Sequence, residues 1–99
     1  MTGREQLKYE QTRIDVYNRA HGKCEECGTS IDYDTYQMAH KIPQSKMYLK
    51  KYGKEVIHHR LNFSATCSLM CNGRSSIGGW PLKIDELVQQ IRQELDNER

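Results

Sequence analysis

The sequence predicts a small α+β domain in which a cysteine-bound metal and two short strands lie between an N-terminal and a C-terminal helix. Three observations support this fold class. Apolar residues recur at helical spacing near both ends of the chain. Two short β-prone runs lie in its middle, and a close pair of cysteines stands on the outer side of each run. With 99 residues, the chain has the length of one domain, 1–99.

The first predicted helix begins near residue 3. Thr2 and Glu5 have the spacing of a capping box, which satisfies free N–H groups at a helix start. Gly22 is the predicted stop, because glycine readily ends a helix. Four apolar side chains fall near one face of this helix: Leu7, Ile14, Tyr17 and Ala20.

The middle of the chain predicts two strands and a short helix between them. Residues 35–42 form the first predicted strand, which Pro43 ends. Ser45 is a candidate cap for a short helix through Tyr52, and Gly53 stops it. Residues 61–66 form the second predicted strand. A further short helix is expected from Cys71 onward, before Gly78.

The last helix is predicted over residues 81–99. Trp80 and Pro81 are expected to close the core and to start this helix. Its apolar residues recur at helical spacing, which indicates packing against the domain or, alternatively, the surface of a homodimer. These residues are Ile84, Leu87, Val88, Ile91 and Leu95.

The four cysteines form two close pairs, Cys24 with Cys27 and Cys67 with Cys71. Two such pairs separated by a long loop are typical of a tetrahedral Cys₄ zinc site. A closed site of this kind leaves no position for substrate, so the zinc is expected to be structural. The second pair has three intervening residues, which suits zinc if Cys71 lies in the first turn of a helix. Disulfides or free buried thiols are the alternatives.

The predicted core is small, which makes a structural metal useful. Leu, Ile, Val and Phe together number 18 of 99 residues, a proportion low enough to occur in disordered chains. A structural zinc supplies folding free energy on the order of 10 kcal/mol, which offsets a small core. No apolar run approaches transmembrane length, and no apolar signal stretch stands at the N-terminus. We therefore expect a cytoplasmic protein without a membrane partner.

Basic residues are concentrated in the middle of the chain. Residues 41–80 carry a net charge of +6, whereas the segments before and after them each carry −2. Clustered Lys and Arg favour nucleic acid, because they release counterions from phosphates. The alternative to a nucleic-acid-binding surface is a lysine-rich surface loop that is simply solvated. The candidate nucleic-acid-binding residues are Lys41, Lys46, Lys50, Lys51, Lys54, His59, Arg60 and Arg74.

Four motifs occur in a particular order. They are the first cysteine pair within residues 16–28, Ala39-His40-Lys41-Ile42-Pro43, Leu61-Asn62-Phe63, and the segment 67–72 that ends in Asn72. Together they resemble the zinc-containing HNH endonucleases, whose core is the ββα-metal fold of the His-Me finger proteins. The resemblance covers about residues 13–76, and the terminal helices are extensions. It implies a bacterial or phage-encoded enzyme of the H-N-N variant that acts on DNA.

The resemblance implies a role for each matching residue. His40 would be the general base that activates water for attack on a phosphodiester, since histidine ionises near neutral pH. Asn62 would hold the loop so that His40 points correctly. Asn72 would bind the catalytic cation, and its amide oxygen suits Mg²⁺ or Mn²⁺.

One position departs from the family pattern. Many members have Asp or His as a second metal ligand directly before the base, whereas this chain has Ala39. Candidates for the missing ligand are His58, His59, Asp32, Asp34 and Glu55. The departure favours an alternative to an endonuclease, a non-catalytic zinc-containing DNA-binding module of the same fold. A third alternative is an interaction domain whose basic loop binds a protein.

Overall fold

A computed structural model describes residues 3–98 of the chain. In chain order, these residues form helix α1 (Gly3–Arg19), strand β1 (Gln37–His40), helix α2 (Lys46–Tyr52), helix α3 (Lys54–Ile57), a 3₁₀ turn (Arg60–Asn62), strand β2 (Phe63–Thr66), helix α4 (Leu69–Arg74) and helix α5 (Pro81–Asn97). The described part is therefore an α+β fold, as predicted, with a two-stranded sheet and five α-helices, one more than the sequence predicts. Thr2 of the predicted capping box lies outside the described residues.

The two strands pair antiparallel. Gln37 stands opposite Thr66 and His40 opposite Phe63. Both strands are shorter than predicted. The first is limited to Gln37–His40, and a 3₁₀ turn replaces the start of the second. The Nδ1 atom of His59 accepts the N–H of Leu61 at 3.1 Å and closes that turn.

The connection between the strands contains one predicted helix and one that was not predicted. Ser45 caps α2, as expected, and its hydroxyl accepts the N–H of Tyr48 at 3.3 Å. Gly53 ends α2 with a φ of +89°, a conformation that glycine adopts readily. Helix α3 follows at once and buries Val56 and Ile57. The sequence does not predict it, because four residues are too short for a periodic pattern.

Buried side chains form two clusters. The cysteine-side core consists of Val16, Cys24, Ile31, Tyr36, Phe63, Ala65 and Cys71. The α5-side core consists of Ile42, Val56, Ile57, Ile84, Val88 and Ile91. The first combines α1, the sheet and one cysteine of each pair, whereas the second is entirely aliphatic.

Helix α5 packs its apolar stripe against its own chain. Ile84, Val88 and Ile91 are buried, and Leu87 and Leu95 pack beside them. This is the packing role predicted for the stripe, and it uses the apolar side chains that the alternative homodimer would need.

One expectation about an apolar side chain was wrong. Trp80 does not close the core: it is 60% exposed, and its ring lies 5.0 Å from the Lys83 ammonium at the surface. Pro81 does begin α5. On α1, Leu7 is 74% exposed, since only the C-terminal part of that helix reaches the core, through Val16.

Candidate functional site: the cysteine quartet and the His40 region

The first cysteine pair lies in a tight turn directly after α1. The N–H of Cys24 donates to the carbonyl of Thr29 at 2.7 Å, and the N–H of Gly28 donates to the carbonyl of Cys24 at 2.9 Å. Gly28 has a φ of +81°. Such a turn needs a residue without a Cβ at this point, and it presents both sulfurs to the same side.

The second cysteine pair lies at the start of α4. Ser68 caps this helix, and its hydroxyl accepts the N–H of Cys71 at 3.4 Å. Cys71 is therefore in the first turn, which is the placement that three intervening residues require. Cys67 precedes the cap, so the turn of the helix brings its sulfur back toward that of Cys71.

The four sulfurs converge on one point. The ligand atoms of the cysteine quartet (Cys24, Cys27, Cys67 and Cys71) all lie within 4.8 Å of one another. The Cys27 and Cys67 sulfurs are 3.5 Å apart, and those of Cys67 and Cys71 are 3.8 Å apart. A tetrahedron with Zn–S bonds of about 2.3 Å has sulfurs about 3.8 Å apart. All four are free thiols, so the quartet is compatible with a structural metal such as zinc.

Hydrogen bonds prepare part of the quartet to bind a cation. The Thr29 hydroxyl, followed by its backbone and by Cys67, lowers the pKa of Cys27 to about 6. Burial opposes ionisation of Cys24, but backbone N–H groups in the turn lower its pKa. Burial raises the pKa of Cys71 to about 12. Because the thiolate is the ligand, loss of the Cys71 proton depends on the charge of the bound metal.

A charged pair that the sequence did not predict attaches the first cysteine turn to the sheet. Glu25 exchanges two hydrogen bonds with Ala65: its N–H donates to the carbonyl, and its carboxylate accepts the N–H, both at 2.8 Å. Arg19 donates to the Glu25 carboxylate at 2.6 Å and to the carbonyl of Phe63 at 2.6 Å. The sequence offered one signal for this link, the charged Glu25 inside Cys-x₂-Cys. A charged residue at that point faces either solvent or a neighbouring strand.

His40 lies at the end of β1, half-buried against an aromatic ring. Its ring centroid is 4.5 Å from that of Phe63, and its Nε2 is 3.3 Å from Nδ1 of His58. Burial, with a smaller contribution from the nearby His58, lowers the pKa of His40 to about 4. The imidazole is therefore neutral at pH 7, with one nitrogen able to accept a proton.

Asn62 is fully buried and holds the backbone that follows His40. Its Oδ1 accepts the N–H of Ile42 at 2.8 Å, and its Nδ2 donates to the carbonyl of Ile42 at 3.2 Å. The same Nδ2 donates to the carbonyl of Ile57 at 2.8 Å. The Asn62 carbonyl also accepts the N–H of Lys41. Asn62 thus fixes the backbone of Lys41 and Ile42, the two residues that follow His40, without bonding the His40 ring itself.

Asn72 takes no part in these hydrogen bonds around Asn62. Its Nδ2 donates to Oε1 of Gln37 at 3.3 Å. Gln37 and His40 are three residues apart on β1, so their side chains point to opposite faces of the sheet. Ala39 shares the Gln37 face and is buried there. The predicted metal ligand therefore lies on the other side of the strand from the predicted base.

No second cluster of metal ligands is found near His40 in the described residues. The cysteine quartet is the one group of three or more His, Cys, Asp or Glu side chains, between residues 3 and 98, whose ligand atoms converge. Of the candidates for the missing ligand, His58 meets His40, whereas His59 is buried and faces α5. Within the described residues, none of the five candidates belongs to a group of three or more converging His, Cys, Asp or Glu ligands.

Four of the predicted DNA-binding lysines are exposed on α2 and α3: Lys46, Lys50, Lys51 and Lys54. On the same surface, the rings of Tyr48 and Tyr52 stack at 6.2 Å, and the Lys51 ammonium lies 5.3 Å from the Tyr52 ring. Lys54 also lowers the pKa of His58, after burial. The lysine-rich surface therefore extends toward the His40–His58 pair.

The remaining basic residues have other surroundings. Lys41 is half-buried, and burial lowers its pKa, whereas Arg74 is exposed on α4. His59 is buried, with Nε2 3.5 Å from the Glu98 carboxylate. Arg60 pairs with Glu98 and, at 2.6 Å, with Glu94. A nucleic-acid contact does not fit His59 or Arg60, because α5 already covers the first and binds the second.

Comparisons of the chain with protein-family models, with curated proteins and with solved structures found no match. Within the described residues, none of the helices has the length and apolar character needed to cross a membrane.

Proposed function

We propose that this chain is an HNH-type endonuclease that hydrolyses phosphodiester bonds in DNA, with His40 as the general base. The observation that carries the proposal is the set of hydrogen bonds by which Asn62 holds the backbone directly after His40. A buried carboxamide binds both the N–H and the carbonyl of Ile42, two residues after His40. Such bonds hold a catalytic side chain on rigid backbone, which general-base catalysis requires.

The protonation state of His40 suits a proton acceptor. A base must be unprotonated when the substrate binds, and burial, which lowers the pKa of His40 to about 4, keeps this imidazole neutral at pH 7. Contact with a phosphate raises the pKa of a nearby imidazole, because the negative charge favours the imidazolium. His40 would accept the proton of the attacking water in that setting.

The structure supports the proposed structural zinc more strongly than the proposed catalytic metal. The cysteine quartet would hold a structural zinc that fixes α4 and the sheet in place. A catalytic Mg²⁺ or Mn²⁺ would neutralise negative charge that develops on the phosphate. Asn72 is the proposed ligand, but one amide oxygen is a poor ligand set for that ion. The proposed roles of His40 and Asn62 therefore depend on protein atoms alone.

The proposed DNA surface is the lysine-rich face of α2 and α3. Lys50, Lys51 and Lys54 are exposed there, and Lys54 influences His58 next to His40. Phosphates held by these lysines would lie close to the proposed base. A non-catalytic DNA-binding module is the second candidate, because Ala39 provides no ligand beside His40.

Nicking of supercoiled plasmid tests the two candidates. Wild type and His40→Ala would be compared with Mg²⁺ or Mn²⁺ at equal zinc content. We expect wild type to nick DNA and His40→Ala to be slower by about 100-fold or more, the usual contribution of a general base. His21→Asn is the matched control: it removes a histidine at a turn with φ of +56°, which asparagine tolerates.

Two outcomes would count against the enzyme. If His40→Ala nicks as fast as wild type, His40 is not the base. If neither protein nicks DNA while both shift it in a salt-dependent way, the chain is a binding module. In that case, replacing Lys50, Lys51 and Lys54 together by Ala would reduce the slope of log K against log salt by about 0.9 for each phosphate that these lysines neutralise.

A further inference from the structure

We infer that His58 is a positioning residue for His40: it holds the imidazole in the tautomer whose Nδ1 is free to accept a proton. This inference rests on the proposed function of His40. It adds to that function a residue outside the four matching motifs.

The contact joins defined nitrogens of a half-buried ring, His40, and an exposed one, His58. His40 Nε2 and His58 Nδ1 are 3.3 Å apart, and the ring planes meet at 71° with centroids 5.4 Å apart. His58 ends α3, and its N–H donates to the carbonyl of Lys54 at 2.9 Å. Phe63 contacts the His40 ring as well, with centroids 4.5 Å apart. The His40 ring therefore has an apolar neighbour and a histidine partner.

Only two arrangements of protons turn this contact into a hydrogen bond between neutral rings. In the first, both rings carry the proton on Nε2, and His40 donates to His58. In the second, both carry it on Nδ1, and His58 donates to His40. The Nε2–H form is the more stable tautomer of neutral histidine in water. The first arrangement is therefore favoured, because it gives both rings this tautomer. It leaves Nδ1 of His40 with a free lone pair.

The same logic applies to other histidines that act on substrates or metals, where a hydrogen bond at one ring nitrogen determines the chemistry of the other. Here an imidazole nitrogen takes the place of the carboxylate or carbonyl that commonly accepts this bond. A neutral acceptor raises the pKa of the base less than a carboxylate would, so this bond leaves His40 better able to stay unprotonated until it meets a phosphate.

Nitrogen-15 NMR of histidine-labelled, zinc-loaded protein reads the tautomer directly and needs no cleavage. At pH 7 we expect His40 as the Nε2–H form in wild type. In His58→Ala we expect a mixture of tautomers and nicking at least about 10-fold slower. His58→Asn should restore most of both, because its amide oxygen lies where Nδ1 lies. His58→Gln should not, because its amide lies nearer the position of Nε2.

Each result decides the inference. It is overturned if wild-type His40 is the Nδ1–H form, if His58→Ala leaves the tautomer unchanged, or if Asn and Gln at position 58 behave alike. If the tautomer follows these expectations while wild type does not nick DNA, the positioning contact stands and the proposed nuclease activity fails. Zinc content and circular dichroism would be matched across the variants, so that loss of fold is not counted as loss of positioning.

Discussion

The two cores of this protein are built from different materials. The cysteine-side core has three aliphatic members, Val16, Ile31 and Ala65, and its other members are two aromatic residues and two cysteines. The α5-side core consists of six aliphatic side chains. The first lies beside four converging sulfurs and the Arg19–Glu25 pair, whereas the second is closed by a single amphipathic helix.

The difference shows two ways to stabilise a small fold. Where little apolar area is buried, polar bonds and metal–ligand bonds supply the stability. Where enough apolar area is buried, burial alone stabilises the core. The His40 region lies at the boundary between the two. His40 contacts Phe63 of the cysteine-side core, and Asn62 bonds Ile42 and Ile57 of the α5-side core. A change in either core therefore reaches the candidate base.

Metal removal is expected to have the largest effect and to act first on the cysteine-side core. Structural zinc contributes on the order of 10 kcal/mol, comparable to the whole stability of a small domain. Cys71→Ser or a strong chelator should therefore unfold the protein. Hydrogen exchange would show amide protection lost at Val16, Phe63 and Ala65. Persistent protection of these amides without metal would mean that the aromatic packing suffices.

Truncation in the α5-side core is expected to cost less and to leave metal binding intact. Ile91 is fully buried, so Ile91→Ala should lower the free energy of unfolding by about 2–5 kcal/mol. Leu82→Ala on the same helix is the matched control, because Leu82 is 78% exposed and its loss should change stability by less than about 0.5 kcal/mol. Denaturant titration measures both. Loss of zinc from Ile91→Ala would show that the two cores are not independent.

The boundary can be tested with two asparagines. Asn62→Ala leaves polar backbone groups of Ile42 and Ile57 buried without partners and should cost about 3 kcal/mol. Asn72→Ala removes one bond to Gln37 at a half-buried site and should cost less than about 1 kcal/mol. Equal costs in denaturant titration would argue against a special role for the Asn62 bonds.

The smallest expected effect is a dependence of stability on pH. The pKa of His40 falls from 6.5 to about 4 on folding. Between these values the unfolded chain binds more protons than the folded one, so stability falls as pH falls. His40→Gln should reduce this slope in zinc-loaded protein relative to wild type, measured by denaturant titration at pH 7 and pH 5.5. An unchanged slope in His40→Gln would place the effect on other groups.

Short-range signals predicted the elements well. The Ser45 cap, the stop at Gly53, the apolar stripe of α5 and the cysteine spacing each depend on residues within a few positions of one another. Such patterns express local backbone geometry and periodicity, so they are visible in one sequence.

Contacts between residues far apart in the sequence could not be predicted, because local patterns carry no information about them. Arg60 was expected on DNA because its neighbours are basic, yet its partners Glu94 and Glu98 come 34 and 38 residues later. His58 meets His40 across 18 residues, through a helix too short to predict. In both cases the direction of the side chain follows from the packing of α3 and α5, which charge patterns do not reveal.

The placement of the two cysteine pairs also affects how fast the chain folds. Cys27 and Cys67 are 40 residues apart, and Arg19 reaches the Phe63 carbonyl across 44. Closing such loops costs entropy before any contact compensates for it. A chain rich in helices would ordinarily fold rapidly through local contacts. This one must first join distant segments, so we expect folding slower than that of a helical bundle of the same length, with metal capture among its later steps.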